Sequence, residues 1–338
     1  MRPVKSLTRW RALGAVPDIR DGRRESRLAR NAGRVEGSVM SLRLEMLQVA
    51  RLAPAVLGEN ASRRIGGFVL RQRHPEGGFC DREGRSDLYY TSFAVDCLTA
   101  LQMPLPDQEL AAWLGGFGDG EGLDFVHRCC LARLWSAVSR HQDGATGHGA
   151  MIERILAGIE RWRTPEGGYH PRLGRDHGTA YGCLLGYGAW ADHGKKPPQA
   201  GGLGRCLDGL RSADGVWSNE VGRPHGLATA TAAAVTLARN LRQPIPPAVG
   251  QWLLGCWHPG GGFVPFPGAP IPDLLSTAVV LHALDGLQQD FAAVKEPCLD
   301  FVDTLWNAEG GFHGHWADDA LDVEYSYYGL LALGHLSL

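Results

Sequence analysis

Glu309-Gly310-Gly311-Phe312, followed ten residues later by Asp322-Val323-Glu324-Tyr325-Ser326-Tyr327-Tyr328-Gly329, is the stretch that decides the fold. It joins a Gly-Gly-aromatic turn to a segment that is apolar or small on nearly every side. Related turns precede similar segments elsewhere: Glu76-Gly77-Gly78-Phe79, Glu166-Gly167-Gly168-Tyr169, Gly215-Val216-Trp217 and Gly260-Gly261-Gly262-Phe263. The last four turn aromatics, at 169, 217, 263 and 312, are 48, 46 and 49 residues apart. Such a period predicts one supersecondary unit stacked on copies of itself.

The interval between the first two turns is about twice this period, and a weaker unit fits into it. Its traces are Gly115-Gly116-Phe117 and Asp124-Phe125-Val126-His127. We therefore expect five to six units in the chain.

Two kinds of helix alternate within each unit. The segments after the turns are apolar nearly all round, which is typical of buried helices. The segments before the turns carry one apolar stripe and one charged face, which suits an outer layer: Ala61–Arg73, Met151–Arg163, Gly204–Arg211, Val249–Trp257 and Lys295–Trp306. The alternation predicts an all-α protein, a single α/α toroid (α6-α6 barrel) in which an outer ring of helices surrounds an inner ring.

The composition of the chain limits which binding partners and which cellular compartment we expect. The net charge of −2 gives no reason to expect a nucleic-acid partner. No apolar run reaches the roughly 20 residues that a membrane span needs. Eight cysteines without a Cys-x-x-Cys pair favour reduced thiols, and hence a cytoplasmic location.

The chain divides into two parts at Met40. Residues 1–39 are rich in arginine and lack an apolar signal-peptide core, so we interpret them as a basic N-terminal extension that is either disordered or not native. Residues 40–338 are expected to form the toroid.

The repeat resembles the prenyltransferase β-subunit and squalene/terpene cyclase family. The resemblance covers about residues 42–338 and is closest in layout to the β-subunit of Rab geranylgeranyltransferase. It implies an α/α toroid whose inner helices surround an aromatic central funnel for an isoprenoid. Tyr89, Tyr181 and Tyr328 are the aromatic residues that we expect to bind substrate there.

The zinc site that the resemblance implies is degraded. Of the family's Asp, Cys and His ligands, the Asp matches Asp273, the Cys falls on Leu275, and the His, three positions after Asp322, falls on Tyr325. We therefore expect no cofactor and no zinc at this position, while Mg²⁺ stays open. His313, His315 and the neighbouring aspartates offer an alternative metal site.

A second comparison, with class II terpene cyclases, places a candidate acid. Their Asp-x-Asp-Asp motif overlays Asp322-Val323-Glu324-Tyr325, with Glu324 where the proton donor stands and Tyr325 in place of the last Asp. A carboxylic acid in an apolar funnel has a raised pKa and can stay protonated. The alternative is a buried structural glutamate. The candidate catalytic residues are thus Glu324, Asp322, Asp273 and Tyr325.

Two Arg-x-His pairs stand at equivalent positions in adjacent units, just before inner helices. Arg175 and His177 form the first pair, and Arg223 and His225 the second. His225 also matches the family's diphosphate-binding histidine. Basic groups near helix N-termini favour a diphosphate site, although loop structure alone would also explain them.

Three functions remain open from the sequence. The first is a divergent prenyltransferase-like enzyme that binds an isoprenoid diphosphate in the funnel. The second is a single-barrel class II-like terpene cyclase that uses Glu324 as its acid and a neutral terpenoid as substrate. The third is a non-catalytic toroid that binds a lipid or a helical protein partner.

Overall fold

A computed structural model of the chain describes residues 41–141 and 148–338. The expected basic extension, residues 1–39, lies outside the described residues. The inner helices are α3 (Leu88–Ala100), α5 (Phe125–His141), α7 (Ala180–Ala191), α9 (Ala228–Asn240), α11 (Leu274–Gly286) and α13 (Val323–Ser337). The outer helices are α2 (Ala53–Arg71), α4 (Asp107–Gly115), α6 (Gly149–Ile159), α8 (Gly201–Gly209), α10 (Ala248–Leu254) and α12 (Lys295–Leu305). A further helix, α1 (Leu42–Ala50), precedes both rings.

The inner helices form a closed ring. Each packs against the inner helix of the next unit, and α13 packs against both α11 and α3, which joins the sixth unit to the first. The outer helices cover this ring, so that most side chains of the inner helices are buried. The prediction of a single α/α toroid is confirmed.

Sheet structure is minimal within the described ranges. It consists of β1 (Phe79–Cys80) and β2 (Ser86–Asp87), which pair antiparallel, together with isolated bridges. One such bridge recurs in the five units with a clear turn, between a residue at the end of the outer segment and the turn aromatic, as in Arg163 with Tyr169. The weaker unit around Gly116 lacks it.

Aspartates and a threonine begin five of the inner helices. The side chains of Asp87, Asp124, Thr179, Asp273 and Asp322 each accept a hydrogen bond from the backbone N–H three residues later. These N-caps satisfy a backbone donor that the first helical turn leaves unpaired. They also fix the first-turn side chains at one end of the ring, which is the rim of the funnel.

Helix α1 closes the opposite end of the ring. It packs against α3, α7 and α13. The carbonyl of Val49 lies close to Gly334, near the C-terminal end of α13, and the Ser41 hydroxyl donates to Asp192, the residue that ends α7. The funnel is therefore open at the N-terminal ends of the inner helices and floored at their C-terminal ends. None of the helices in the described ranges is long and apolar enough to cross a membrane.

Candidate active site in the central funnel

An aromatic cluster lines one side of the funnel, where α3 and α13 face each other. The Tyr89 ring lies 5.0 Å from Phe93, measured between centroids, and Phe93 lies 5.8 Å from Tyr327 and 5.5 Å from Tyr328. Edge-on and tilted contacts of this kind stabilise aromatic clusters and fix their ring planes. Tyr89 and Tyr328, both predicted substrate-binding residues, thus lie in one cluster.

The wall opposite α3 is made of small side chains. Helix α9 is three helices away from α3 in either direction around the ring. Residues 228–234 of α9 are all Ala or Thr. Tyr181 begins the neighbouring helix α7 and keeps 37% of its surface exposed at the rim. An aromatic wall thus stands opposite a wall of small side chains, which is an arrangement suited to an apolar ligand.

Glu324 is the acidic side chain that faces this cluster. The Tyr89 hydroxyl donates a hydrogen bond of 2.6 Å to Glu324 Oε1 across the α3–α13 contact. Burial raises the pKa of Glu324 to about 7, and nearby Asp322 adds to the rise, while the Tyr89 hydrogen bond and Arg82 oppose it. A carboxyl group with this pKa is about half protonated at neutral pH and can donate a proton into the funnel.

Asp322 is close in sequence to Glu324 but has a different environment. One of its oxygens accepts from the Tyr325 backbone N–H at 2.8 Å, and the other from Arg82 Nε at 2.7 Å. Arg82 also donates to Asp318 at 3.0 Å. Although burial lowers the pKa of Arg82, its bonds with Asp322 and Asp318 raise it overall. This ion pair favours the carboxylate form of Asp322, but burial outweighs it and raises the pKa of Asp322 overall. The bonds to Arg82 and to the Tyr325 backbone hold Asp322 in place beside Glu324, as a positioning group.

Tyr325 and Asp273 complete the predicted catalytic residues. The Tyr325 ring lies under the Arg82 guanidinium at 5.5 Å. Asp273 is held by Ser276, whose backbone N–H donates at 2.6 Å and whose hydroxyl donates at 2.7 Å. Asp273 therefore caps α11 at the rim, and the structure shows no contact between it and Glu324.

Metal ligands are not assembled in the part of the chain that the structure describes. No group of three or more His, Cys, Asp or Glu side chains there could hold a metal ion. Asp273 is followed by Leu275 instead of a thiol. In the alternative site, His313 Nδ1 faces the Ala320 carbonyl and Asp318 binds Arg82.

One Arg-x-His pair lines a cavity at the rim. The cavity has a volume of about 730 Å³ and lies over the N-terminal end of α7. Its polar and aromatic lining includes Arg172, Arg175, His177, Tyr181 and Glu220.

The second pair does not line this cavity. Arg223 is paired with Glu220, which does line it, and His225 faces Asp214 at 3.8 Å. Both residues are largely exposed. The structure thus brings Arg175 and His177 together with Tyr181, and leaves Arg223 and His225 at its margin.

Two residues at the rim of the site, Arg82 and His127, were not predicted from the sequence. His127 bridges Asp124 and Asp87, with Nδ1 and Nε2 at 2.8 and 2.9 Å from their carboxylates. The hydrogen bond with Asp87 is the main cause that raises the pKa of His127 to about 9, so the rim carries a cation there. The Asp124-x-x-His127 spacing on one helical turn is the signal that could have indicated it.

The floor of the funnel holds a buried charged cluster, which was also not predicted. Arg43 of α1 donates to Asp96 of α3 at 2.5 Å, and both side chains are almost fully buried. Arg133 of α5 lies with its Nε 3.5 Å from Asp192 Oδ2. Two guanidinium groups and two carboxylates therefore meet where α1 closes the ring.

Family comparison agrees with this architecture. Residues 60–130 and 203–337 match the prenyltransferase alpha-alpha toroid domain, which is more than half of the chain. The chain therefore belongs to this family. A comparison with curated proteins by sequence gives no match.

Three proteins with solved structures of the same fold are named for different reactions. The type II terpene cyclase MstE from Scytonema is 12% identical over 86% of this chain and 98% of its own, with a TM-score of 0.53. A glycosidase is 12% identical over 86% and 98%, with a TM-score of 0.55. A polysaccharide lyase is 11% identical over 87% and 97%, with a TM-score of 0.52. These similarities establish the fold, and the function must be argued from the site.

Proposed function

We propose that the protein is a single-barrel, class II-like terpene cyclase in which Glu324 protonates an alkene of a linear isoprenoid. The observation that carries this proposal is the placement of Glu324, a carboxyl group with a pKa of about 7, against an aromatic wall and in a hydrogen bond with Tyr89. Among the residues that the structure describes, Tyr89 is the one hydrogen-bond partner of the Glu324 carboxyl group.

The geometry suits each step of such a reaction. The Glu324 proton adds to one alkene carbon, and the positive charge develops on the other. The faces of Tyr89, Phe93 and Tyr328 can stabilise this charge. A second alkene attacks the cation to close a ring, and loss of a proton then gives a product that is an isomer of the substrate. Tyr89 stabilises the Glu324 carboxylate that remains after the first transfer.

One of the structural neighbours supports the proposed cyclase reaction. The structure of MstE with geranylgeranyl dihydroxybenzoate describes that compound as the substrate of a type II terpene cyclase with this fold. A glycosidase and a lyase share the fold as well. The aromatic wall that Glu324 faces favours a terpenoid over a sugar.

The test is Glu324→Gln, which keeps shape and hydrogen bonding but removes the acidic proton. Linear polyprenyl alcohols, acids and diphosphates are incubated with the protein in D₂O, and products are analysed by mass spectrometry. Wild-type protein should form cyclic isomers that carry one deuterium. The variant should turn over at least about a hundredfold more slowly, the lower end of a general acid's contribution.

The matched control is Glu83→Gln, which changes an exposed glutamate. It should leave turnover unchanged. Cyclic products that form equally well with Glu324→Gln would disprove the acid role, and a wild-type protein that binds these lipids without converting them would favour the non-catalytic toroid.

The rim cavity favours a second candidate, an isoprenoid diphosphate bound at Arg172, Arg175 and His177. The cavity opens beside Tyr181, so a diphosphate there could lead a chain into the funnel. Farnesyl diphosphate should then bind more weakly as salt concentration rises, because screening weakens exposed charge pairs. Arg175→Ala should weaken it further.

The control for this experiment is Arg63→Ala, which removes an exposed arginine from α2. Affinity that is unaffected by salt and by Arg175→Ala would exclude the diphosphate site and leave neutral or carboxylate substrates.

A further inference from the structure

Arg133 is a cation inside the funnel that the proposed reaction leaves without a role. It lies on α5, an inner helix, and its side chain keeps 24% of its surface accessible. Its helical neighbours Leu131, Ala132, Leu134 and Trp135 are buried almost completely. Because the outer ring covers the other sides of α5, the accessible surface of Arg133 belongs to the interior space.

The electrostatic effect of Arg133 on funnel residues agrees with this position. Burial raises the pKa of Tyr181 and of Tyr328, and in both cases the charge of Arg133 opposes the rise. The guanidinium therefore acts on tyrosines from two different walls. Its own pKa is lowered by burial but raised overall by Asp192 and Asp96, which keep it charged.

The Arg133 guanidinium is the loosely held member of the floor cluster. Arg43 and Asp96 form a tight pair at 2.5 Å. Arg133 has only the 3.5 Å approach of Nε to Asp192, whose carboxylate also accepts from Ser41. Among the described residues, none accepts a hydrogen bond from Arg133 Nη1 or Nη2. Guanidinium donors inside a protein nearly always have acceptors, so these are available to a ligand or to water.

The free end of the guanidinium has the shape that carboxylates bind. Its two terminal nitrogens can donate two parallel hydrogen bonds to the two oxygens of one carboxylate. The groups on which its charge acts include the aromatic Tyr181, Tyr327 and Tyr328, so the rest of the ligand should be apolar. Arg133 is seven residues along α5 from Val126 in the first turn, which corresponds to a depth of about 10 Å below the rim.

We propose that Arg133 binds the carboxylate end of an isoprenoid acid at the floor of the funnel, opposite the alkene that Glu324 protonates. This inference rests on the proposed function and specifies its substrate class. Glu324 lies in the first turn of α13, so the two groups would hold a chain between rim and floor. The acid would then act on the end of the chain remote from the carboxylate.

The experiment compares farnesoic acid with methyl farnesoate, two ligands that differ in the charge of one end. Dissociation constants are measured by quenching of tryptophan fluorescence. Wild-type protein should bind the acid at least about tenfold more tightly than the ester, the lower end of what a charge-assisted hydrogen bond contributes. Arg133→Met should abolish this preference and leave ester affinity nearly unchanged.

Two further variants separate binding from folding. Arg133→Met with Asp192→Asn removes both partners of the loose pair, so that no uncompensated carboxylate remains, and should also bind acid and ester equally. Arg63→Met should keep the full preference for the acid. Equal binding by wild-type protein, or a preference that persists without Arg133, overturns the inference alone. Failure of both ligands to bind overturns the proposed function as well.

Discussion

Glu324 is hydrogen-bonded to a residue 235 positions earlier in the chain. The sequence placed Glu324 correctly on an inner helix because the order Asp322-x-Glu324 is local. Its partner Tyr89 could not be paired with it from the sequence, since the contact forms only when α13 meets α3 and closes the ring. The same holds for Arg82 and Asp322, which are 240 positions apart.

Three threonines of the inner helices have a structural role. The hydroxyls of Thr91, Thr231 and Thr277 accept hydrogen bonds from the backbone N–H groups of the turn aromatics Phe79, Trp217 and Phe263. These threonines hold the turn against the inner helix. The Ser/Thr content of the inner helices therefore predicts the fold more than it predicts a ligand.

The pKa of Glu324 predicts the pH dependence of turnover. The acid must be protonated, so turnover should be constant well below pH 7 and fall about tenfold per unit above it. Rates of cyclisation between pH 5 and 9 measure this. A rate that rises through pH 7 would contradict the acid role.

The pH dependence of folding stability provides a second measure of the Glu324 pKa. Burial raises the pKa of Glu324 above its ordinary value, so the folded state binds this proton more tightly than the unfolded state does. Its contribution to stability is therefore complete below about pH 4.5 and is lost as the pH rises to about 7. Chemical denaturation of Glu324→Gln should lack this part of the pH dependence.

At the scale of secondary-structure elements, the repeat predicted five helices of each ring, indicated the unit of α4 and α5 only by weaker traces, and missed α1. The period identifies a helix by its copies, and α1 has none. Its role follows from tertiary contacts, because it covers the ends of α3, α7 and α13 and supplies Arg43 to the floor cluster. The repeat pattern therefore could not predict the floor of the site.

The Gly-Gly turns fix how neighbouring units approach. Gly310 has a φ of 104°, and a Cβ there would collide with the backbone carbonyl of Arg64 on α2. Gly84 has a φ of 79° but open space around it. Both positions disfavour alanine through φ, at about 1–2 kcal/mol.

Gly310→Ala should therefore destabilise the protein more than Gly84→Ala does. The collision adds about 1–3 kcal/mol, typical of overpacked sites. Urea denaturation of both variants gives the difference directly. Equal losses would show that the close approach of the last turn to α2 does not contribute to closure of the ring.

The whole molecule differs from an open repeat array because its first and last units touch. In an open array each unit contacts only its neighbours, and a terminal unit can fray by itself. Here α13 packs against α11, α12, α3, α2 and α1. Its removal would therefore expose the faces of α11 and α3 that it joins, and also the floor formed by α1. The period predicted stacking, whereas closure depends on the small rotation between units, which no single unit encodes.

Removal of residues 323–338 should consequently unfold much more than one helix. The buried faces of α3 and α11 would meet water, and hydrophobic burial is the main favourable contribution to folding. Circular dichroism should show a loss of helix well beyond the 15 residues of α13, together with expansion in size-exclusion chromatography. Removal of residues 337–338 alone is the control and should preserve the fold. A shortened protein that loses only the signal of α13 and stays compact would show that the units are stable without closure, and the funnel floor would then be held by the contacts of α1 with α3 and α7.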